Sequence, residues 1–559
     1  MTSFPQDGGK VLLVNYAGYF LTANTFVPDN SLASLAAALR RSGVDVEIVD
    51  FQSPQWVGRV MDGTERARAG AIVEALDAGQ RPPVELIRAY HEDRRHGERE
   101  ALRACMDELT AAVARDRVRL VGFKLWAGEG IRGALALAQA VKEGFPGVRL
   151  VAGGPAVQYA GSVLDRLTKV FDELVVGDGE DAIVRLATGR AMPVPVSAGK
   201  GAALDRMPMP TYDPEVYRDI DGFFRVRLLD ESRGCFNRCA FCSHPHLNGT
   251  QVRERTPERV VDEIERTVRQ DGIRHFRLSG SNPRWDLVRA IGAELLRRRL
   301  DVRWSVYSSM NNVRPNDLGW LAGSGLCSLF FGIESGDEEL LRRAHHKRNR
   351  GADHVVDVCE MAMANNIFVS LSFIVPSPGE TAASRSTTVR LVDRIFARYR
   401  YGSALVMPAL LAPGSTWWEH PERFGFQLED GLDRESYVQR GLTLSNDFLL
   451  PRDCWSDYGY SLDGKRAPEL LGECEDFTRE VAALGVLTNV DDTAFMLADL
   501  GGLAPAEHKA RVSRALITGG TEQLTAYVRR LNRDGLAAPP RFLPTGDHAE
   551  RTAIHARAE

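Results

Sequence analysis

The sequence predicts an α/β protein in three parts: an N-terminal doubly wound parallel sheet, a (β/α)6 partial barrel, and a mainly helical C-terminal region. Three observations carry this. Short apolar runs alternate with helical patterns twice along the chain, over residues 10–185 and again over 225–410. Glycine clusters close the strand-like runs, as tight βα turns require. A stretch rich in Pro, Gly and Ala separates the two series. Alternating strands and helices imply parallel sheets covered by helices.

In the first series Val11–Tyr16 reads as a strand. Pro28-Asp29 then opens a helix over Ser31–Arg41, with apolar positions at Leu32, Leu35, Ala36 and Leu39 and a stop at Gly43. Val44–Asp50 is the next strand, and residues 55–116 are helical and charged with a break at Pro82-Pro83. Strand Val118–Leu125, helix Ile131–Glu143 and strand Val148–Ala152 come next, closed by Gly153-Gly154-Pro155. A short strand, Glu173–Val176, ends in Gly177-Asp178-Gly179-Glu180. Ligands on such sheets sit beyond the carboxyl ends of the strands, where these glycine loops lie.

Residues 1–190 form the first expected domain and 191–212 a linker. The barrel domain spans 213–410, with strands at Arg225–Leu229, Ile273–Leu278, Val302–Tyr307, Ser328–Ile333, Phe368–Ile374 and Ala404–Met407. Its active site is expected at the C-terminal mouth of the strands, as in complete barrels of this kind. Residues 411–559 contain helical patterns at Glu469–Leu484, Pro505–Ile517 and Thr521–Asn532 and no recognisable catalytic motif; the tail after Asp534 is expected to be disordered.

A chain of 559 residues exceeds one ordinary core. Its net charge of −5 and the lack of a dense basic block give no reason to expect nucleic acid as a partner. No run of eighteen apolar residues suggests a membrane span, and the polar start argues against a signal peptide, so the cytoplasm is the expected compartment. There the eight cysteines stay reduced. Cys105, Cys327, Cys359, Cys454 and Cys474 are scattered, whereas Cys235, Cys239 and Cys242 fall within eight residues.

That cluster has the spacing C-x3-C-x2-C and directly follows the first barrel strand, which puts three thiols on a loop at the catalytic mouth. Cubane iron–sulfur clusters take thiolate ligands, normally four, so three leave one iron free. The alternative is a Cys3His zinc site completed by His244 or His246, although zinc sites more often pair their cysteines across a longer loop. In the first domain, Gly128-Glu129-Gly130-Ile131-Arg132-Gly133 matches G-x-G-x-x-G. A dinucleotide site also wants an acidic residue at the tip of the following strand. That tip is Ala152-Gly153-Gly154-Pro155 and has none.

The cysteine run Cys235 to Cys242, with Phe241 before its third cysteine, resembles the signature of radical S-adenosylmethionine enzymes. The loops Val151–Pro155 and Val175–Glu180 resemble those of the cobalamin-binding domain that precedes the cluster in one large class of that family. The resemblance implies a 4Fe-4S cluster held by Cys235, Cys239 and Cys242, whose free iron chelates S-adenosylmethionine. It implies cobalamin against Gly153, Gly154, Gly177, Gly179 and Glu180 of a Rossmann-like sheet, and S-adenosylmethionine contacts at Phe241, Gly280, Glu334 and Ser335. Gly332-Ile333-Glu334-Ser335-Gly336 is similar to the segment reaching the cofactor's ribose or amino-acid part, although Ser335 could equally cap an ordinary turn. Pro376-Ser377-Pro378-Gly379-Glu380-Thr381 is similar to a family loop. The family's G-G-E tip is here Ser279-Gly280-Ser281-Asn282, and the D-x-H-x-x-G that supplies a histidine to cobalt is absent.

The implied activity is a cobalamin-dependent radical methyltransferase. It carries methyl through methylcobalamin to an unactivated carbon or a phosphinate phosphorus of a small natural-product precursor, as in antibiotic biosynthesis. The layout resembles the phosphinate P-methyltransferases most. An external flavodoxin- or ferredoxin-like protein is the implied electron donor. A rearrangement or cyclisation without methyl transfer, and a non-radical route like that of tryptophan methylases, are the alternatives.

Overall fold

The structure, a computed structural model, describes residues 9–16, 26–57, 63–125, 128–159, 169–189, 196–197, 204–429, 431–432, 436–437, 450–452, 455, 457–518 and 521–534. The tail beyond Asp534 and Cys454 lie outside them. Among the described residues, no helix is long and apolar enough to cross a membrane.

The first sheet contains strands β1 (Lys10–Asn15), β2 (Val46–Asp50), β3 (Val118–Lys124), β4 (Arg149–Gly153), β5 (Glu173–Val176) and β6 (Val196–Ser197). They run parallel in the order β2-β1-β3-β4-β5-β6. The central strand β1 is an almost uninterrupted apolar run because helices cover both faces. On one face the helix Asn30–Arg41 buries Leu32, Ala33, Ala36 and Leu39. It starts where the sequence places it, the Asp29 carboxylate accepting from Leu32 N at 2.8 Å. On the other face the 32-residue helix Val84–Arg115 packs against the helix Gly128–Gly144. The order in which strands are added to the sheet reverses between β1 and β3, which opens a crevice beyond their carboxyl ends.

The second sheet contains β7 (Val226–Leu229), β8 (His275–Leu278), β9 (Arg303–Tyr307), β10 (Leu326–Glu334), β11 (Phe368–Ile374), β12 (Gly402–Met407) and β13 (Leu487–Thr488), all parallel and in sequence order across the sheet. Every expected strand is present, with ends shifted by at most two residues. One set of alternate side chains, including Phe276, Trp304, Val306, Phe331, Leu371 and Val406, packs against the surrounding helices.

Two features depart from the expectation. The segment whose composition reads as a linker is partly built into the fold. Val196–Ser197 pairs with β5, and the Arg255 guanidinium, fully buried, donates to the carbonyls of Leu204, Met207 and Pro208 at 2.9–3.2 Å. The C-terminal region is also more than helical. It adds β13, a seventh barrel strand, and a small antiparallel sheet formed by Phe426–Leu428, Tyr460–Leu462 and Lys465–Arg466.

Its helix Asp492–Leu500, unanticipated from the sequence, fills the inside of the barrel. Asp499 accepts from Arg303 at 2.7 and 2.8 Å and lies 3.1 Å from His275 Nε2, while Asp492 accepts from Arg277 at 2.6 Å. Phe495 stacks on Phe368 with ring centroids 4.4 Å apart. Phe495 is 2 % exposed, so Phe495→Ala leaves a cavity that the barrel wall cannot collapse into. The expected cost is about 3–5 kcal/mol, read as a lowered Tm of the full chain.

Candidate functional site

The cysteine loop leaves β7 through Asp230 to Arg233 and turns at Gly234, whose φ is +93°. A Cβ there would lie 2.2 Å from the Gln251 carbonyl oxygen, so only glycine lets the two chain segments approach this closely. Backbone bonds then hold the loop in place: Cys235 N to Gly249 O at 3.1 Å, Ala240 N to His345 O at 2.8 Å and Cys242 N to Cys239 O at 3.1 Å. Phe241 packs between His345 and Trp417, each ring centroid 5.8 Å away.

Cys235 is buried and Cys239 and Cys242 are half-buried. Burial pushes the Cys239 thiol up to about 11 and the Cys242 thiol up to about 12, and the neighbouring cysteines add to both shifts. Among the described residues, no three His, Cys, Asp or Glu side chains converge closely enough to hold a single metal ion; Cys235, Cys239 and Cys242 share one loop without closing on such a point. His244 Nδ1 lies 2.8 Å from Ser281 Oγ and 3.0 Å from Asn248 Nδ2, and His246 Nε2 lies 3.5 Å from the Gln158 carbonyl.

Glu334 and Lys347 sit beside these thiols. Lys347 donates to Glu334 at 2.8 Å and to the Gly332 carbonyl at 2.6 Å. Against the downward push of burial, Glu334 and the cysteines raise its pKa. Ser335 is turned inward, its hydroxyl 3.1 Å from Thr388 Oγ1 and accepting from Asp337 N, so it serves the turn as the simpler reading allows. Gly280 N donates at 3.0 Å to Glu231, a fully buried carboxyl that burial pushes up to about 7. A Cβ on Gly280 would collide with that carboxylate.

The glycine loops and the barrel mouth border one cavity of about 930 Å³. Gly153, Gly154, Gly177, Gly179 and Glu180 line it from the first sheet, and Ser243, His244, Arg277 and Ser279 from the barrel. Two glycines also answer to neighbours within the chain. Gly154 has a φ of +102°, and a Cβ there would approach the Leu125 carbonyl to 2.8 Å, while one on Gly179 would press on Leu35. In the G-x-G-x-x-G segment, Gly133 makes room for the Tyr16 ring, which accounts for it by packing alone.

Sequence reasoning missed what holds the two halves together. Arg233, between β7 and the first cysteine, donates to Glu180 at 2.6 Å, Asp178 at 3.1 Å and Asp230 at 2.7 Å. Arg253 pairs with the other oxygen of Asp178, and Arg255 with Asp230. Glu180, expected at the cofactor, thus spends its carboxylate on this clamp while still bordering the cavity. Thr493, from the helix inside the barrel, lines the cavity floor; it is 1 % exposed and its hydroxyl has no partner among the described residues. Neither feature carries a motif, because each joins residues far apart in sequence.

Residues 232–392 match the family described as the Radical SAM superfamily. An uncharacterized methyltransferase of Pyrococcus horikoshii is 25% identical over 314 residues, covering 51% of this chain and 66% of that one. The cytidylyl-2-hydroxyethylphosphonate methyltransferase of Streptomyces wedmorensis is 31% identical over 273 residues, 45% of this chain and 49% of its own. The matches thus span about half to two thirds of these relatives. The radical S-adenosylmethionine methyltransferase TsrM of Kitasatospora setae, solved with cobalamin and a [4Fe-4S] cluster, has the same fold: TM-score 0.59 at 16% identity, covering 93% of this chain and 99% of that one.

Arg233→Met keeps the side-chain volume but leaves Asp178, Glu180 and Asp230 short of a counter-charge. The expected loss is about 3–5 kcal/mol, read by thermal unfolding. Burial alone would raise the Asp178 carboxyl, but Arg253 and Arg233 outweigh it and hold its pKa low. Its stabilisation is therefore complete above the ordinary carboxylate range and lost as pH falls through the lowered value. In the wild type, hydrogen exchange at residues 175–180 is expected to accelerate on acidification over that range, and the variant is expected to be fast already at neutral pH.

Proposed function

We propose, from the premise that residues 232–392 are a domain of the Radical SAM superfamily, that this chain is a cobalamin-dependent radical methyltransferase. It moves a methyl group from S-adenosylmethionine to a phosphinate phosphorus or an unactivated carbon of a small natural-product precursor. The single observation that carries the reading is the shared cavity, which brings the first sheet's glycine loops and the barrel mouth around one space. Its volume lies at the upper end of the range for ligand pockets, about 300–1,000 Å³.

In this reading residues 1–190 hold the corrin along Gly153, Gly154, Gly177 and Gly179. Residues 213–410 hold the cluster through Cys235, Cys239 and Cys242 and the adenosylmethionine near Phe241, Gly280 and Glu334. Residues 191–212 connect the two, and within 411–559 the helix Asp492–Leu500 supplies Thr493 to the cavity. The donor set fits a cluster: three thiols on one anchored loop, with the Lys347 ammonium beside them to offset their negative charge. When bound, these groups supply an electron, a hydrogen-abstracting radical and a methyl carrier.

The chain's own residues enclose and orient. The Arg233 clamp keeps the two mouths apposed, which excludes water and stray hydrogen donors from the space between. At the floor Arg277, held by Asp492 at 2.6 Å, and the Thr493 hydroxyl offer donors to a substrate oxygen. Such donors suit a phosphinate, and the phosphonate-named relative supports a phosphorus-bearing substrate. The reaction asks for an external low-potential donor of the flavodoxin or ferredoxin kind, hence a reducing, cytoplasmic setting.

With a phosphinate panel, methyl-labelled adenosylmethionine, cobalamin and reductant, the enzyme is expected to form labelled product. S-adenosylhomocysteine and 5′-deoxyadenosine should rise with it in near-equal amounts. Cys239→Ala should stop both deoxyadenosine and product. Methylation without cobalamin would refute the reading. Product without deoxyadenosine would favour a non-radical route, and deoxyadenosine with unlabelled product a rearrangement.

Gly154→Val and Gly179→Val should each lower hydroxocobalamin retained through gel filtration at least severalfold. Because both positions also press on their own chain, circular dichroism must show the fold intact for the loss to count.

A further inference from the structure

The tip after β8 holds a residue that neither the family match nor the proposed reaction explains. Asn282 is 3 % exposed, and its side-chain nitrogen Nδ2 donates to Cys235 Sγ at 3.8 Å. The amide cannot be turned the other way. Its oxygen Oδ1 accepts from Ser309 N at 3.0 Å and from Asn312 Nδ2 at 3.2 Å, so two donors fix the oxygen and leave the N–H aimed at sulfur. The two donors come from the loop and short turn after β9, and the acceptor from the cysteine loop, so the amide bridges two walls of the barrel mouth.

A buried amide is expensive to leave without partners, and this one satisfies its oxygen fully and spends an N–H on a weak neutral acceptor. A thiol sulfur accepts poorly, whereas a thiolate accepts well, because a charged acceptor roughly doubles the strength of a hydrogen bond. The arrangement makes physical sense when Cys235 is a thiolate bound to iron. In that state the hydrogen bond favours whichever redox form carries more negative charge on sulfur, and hydrogen bonds to cluster sulfurs are one of the terms that set cluster potentials.

We propose that Asn282 is a positioning residue that tunes the redox potential of the cluster: its N–H, held by Ser309 and Asn312, stabilises the reduced state through Cys235. This rests on the proposed cluster at Cys235, Cys239 and Cys242. The step concerned adds one electron to the cluster, lowering its charge by one, while the donor loses one; no bond forms and no proton moves.

The full-length chain, reconstituted anaerobically, is titrated with dithionite and followed by electron paramagnetic resonance. Two variants are compared with wild type. Asn282→Leu removes the donor at similar volume, and Asn282→Asp keeps an oxygen for Ser309 and Asn312 while removing the N–H. Both are expected to retain about four irons per chain but to shift the reduction equilibrium about tenfold toward the oxidised state, a fall of about 59 mV for one electron. Asp is expected to fall further than Leu, because it adds charge beside the sulfur. Unchanged or raised potentials in clusters of full iron content would overturn the tuning role. So would loss of iron in both variants alone, which would make Asn282 a scaffold residue. If the wild type itself binds no cluster, the reading of the site fails instead, and the iron analysis tells the two failures apart.

Discussion

The site depends on a set of charges buried where the two halves of the chain meet. Arg233, Arg253 and Arg255 come from the barrel and face Asp178 and Glu180 of the first sheet and Asp230 of the barrel's own first strand end. Ion pairs taken out of water gain stability only when their geometry is good and their remaining hydrogen-bonding capacity is met. Here the guanidinium of Arg255 finishes on four backbone carbonyls, and Arg233 reaches three carboxylates at once. The strength of such a network lies less in net energy than in geometry: a small rotation of one half against the other would strand several charges together. That makes the space between the mouths a fixed volume rather than a hinge. Arg233 also stands two residues before Cys235, so the clamp and the start of the cysteine loop share one stretch of backbone.

The sequence was legible wherever a function or an element is written in consecutive residues. The strands were readable from their apolar runs, the start of the helix Asn30–Arg41 from Asp29, the barrel mouth from the position of three cysteines, and the loops of the first sheet from Gly153-Gly154 and Gly177–Gly179. It was silent where the physics is non-local. The partner of Glu180 is more than fifty positions away, and the helix that fills the barrel lies in a region with no motif. Even so, one local signal was there to be read: Asp491 before an apolar run from Ala494 to Ala498, where its carboxylate now caps Ala494 N at 2.7 Å. Composition misled in the segment 191–212, because an arginine about fifty positions later supplies the partners that its own residues lack.

The C-terminal region changes how the barrel should be regarded. An open sheet of six strands has an exposed last edge and an interior lined by polar and charged side chains such as His275, Arg303 and Ser370. β13 pairs with that edge, the inner helix meets His275 and Arg303 through Asp499, and Val490, just before the helix, meets Ser370 through its carbonyl and Ser403 through its amide. The part of the chain with the least sequence signal thus completes the most demanding part of the core and supplies Thr493 to the cavity floor.

That arrangement has a consequence for synthesis. The last of the first six barrel strands ends at Met407, and the inner helix ends at Leu500, about ninety residues later. At a translation rate of about 5–20 residues per second, the barrel's interior waits about 5–20 seconds for the element that occupies it. Throughout that interval His275, Arg277 and Arg303 are already in place on the inner side of the sheet, while the carboxylates of Asp492 and Asp499 that will meet them are not yet made. The nascent chain therefore passes through a stage in which positive charge on the inside of the barrel is answered by water alone, a stage that ends when the inner helix arrives.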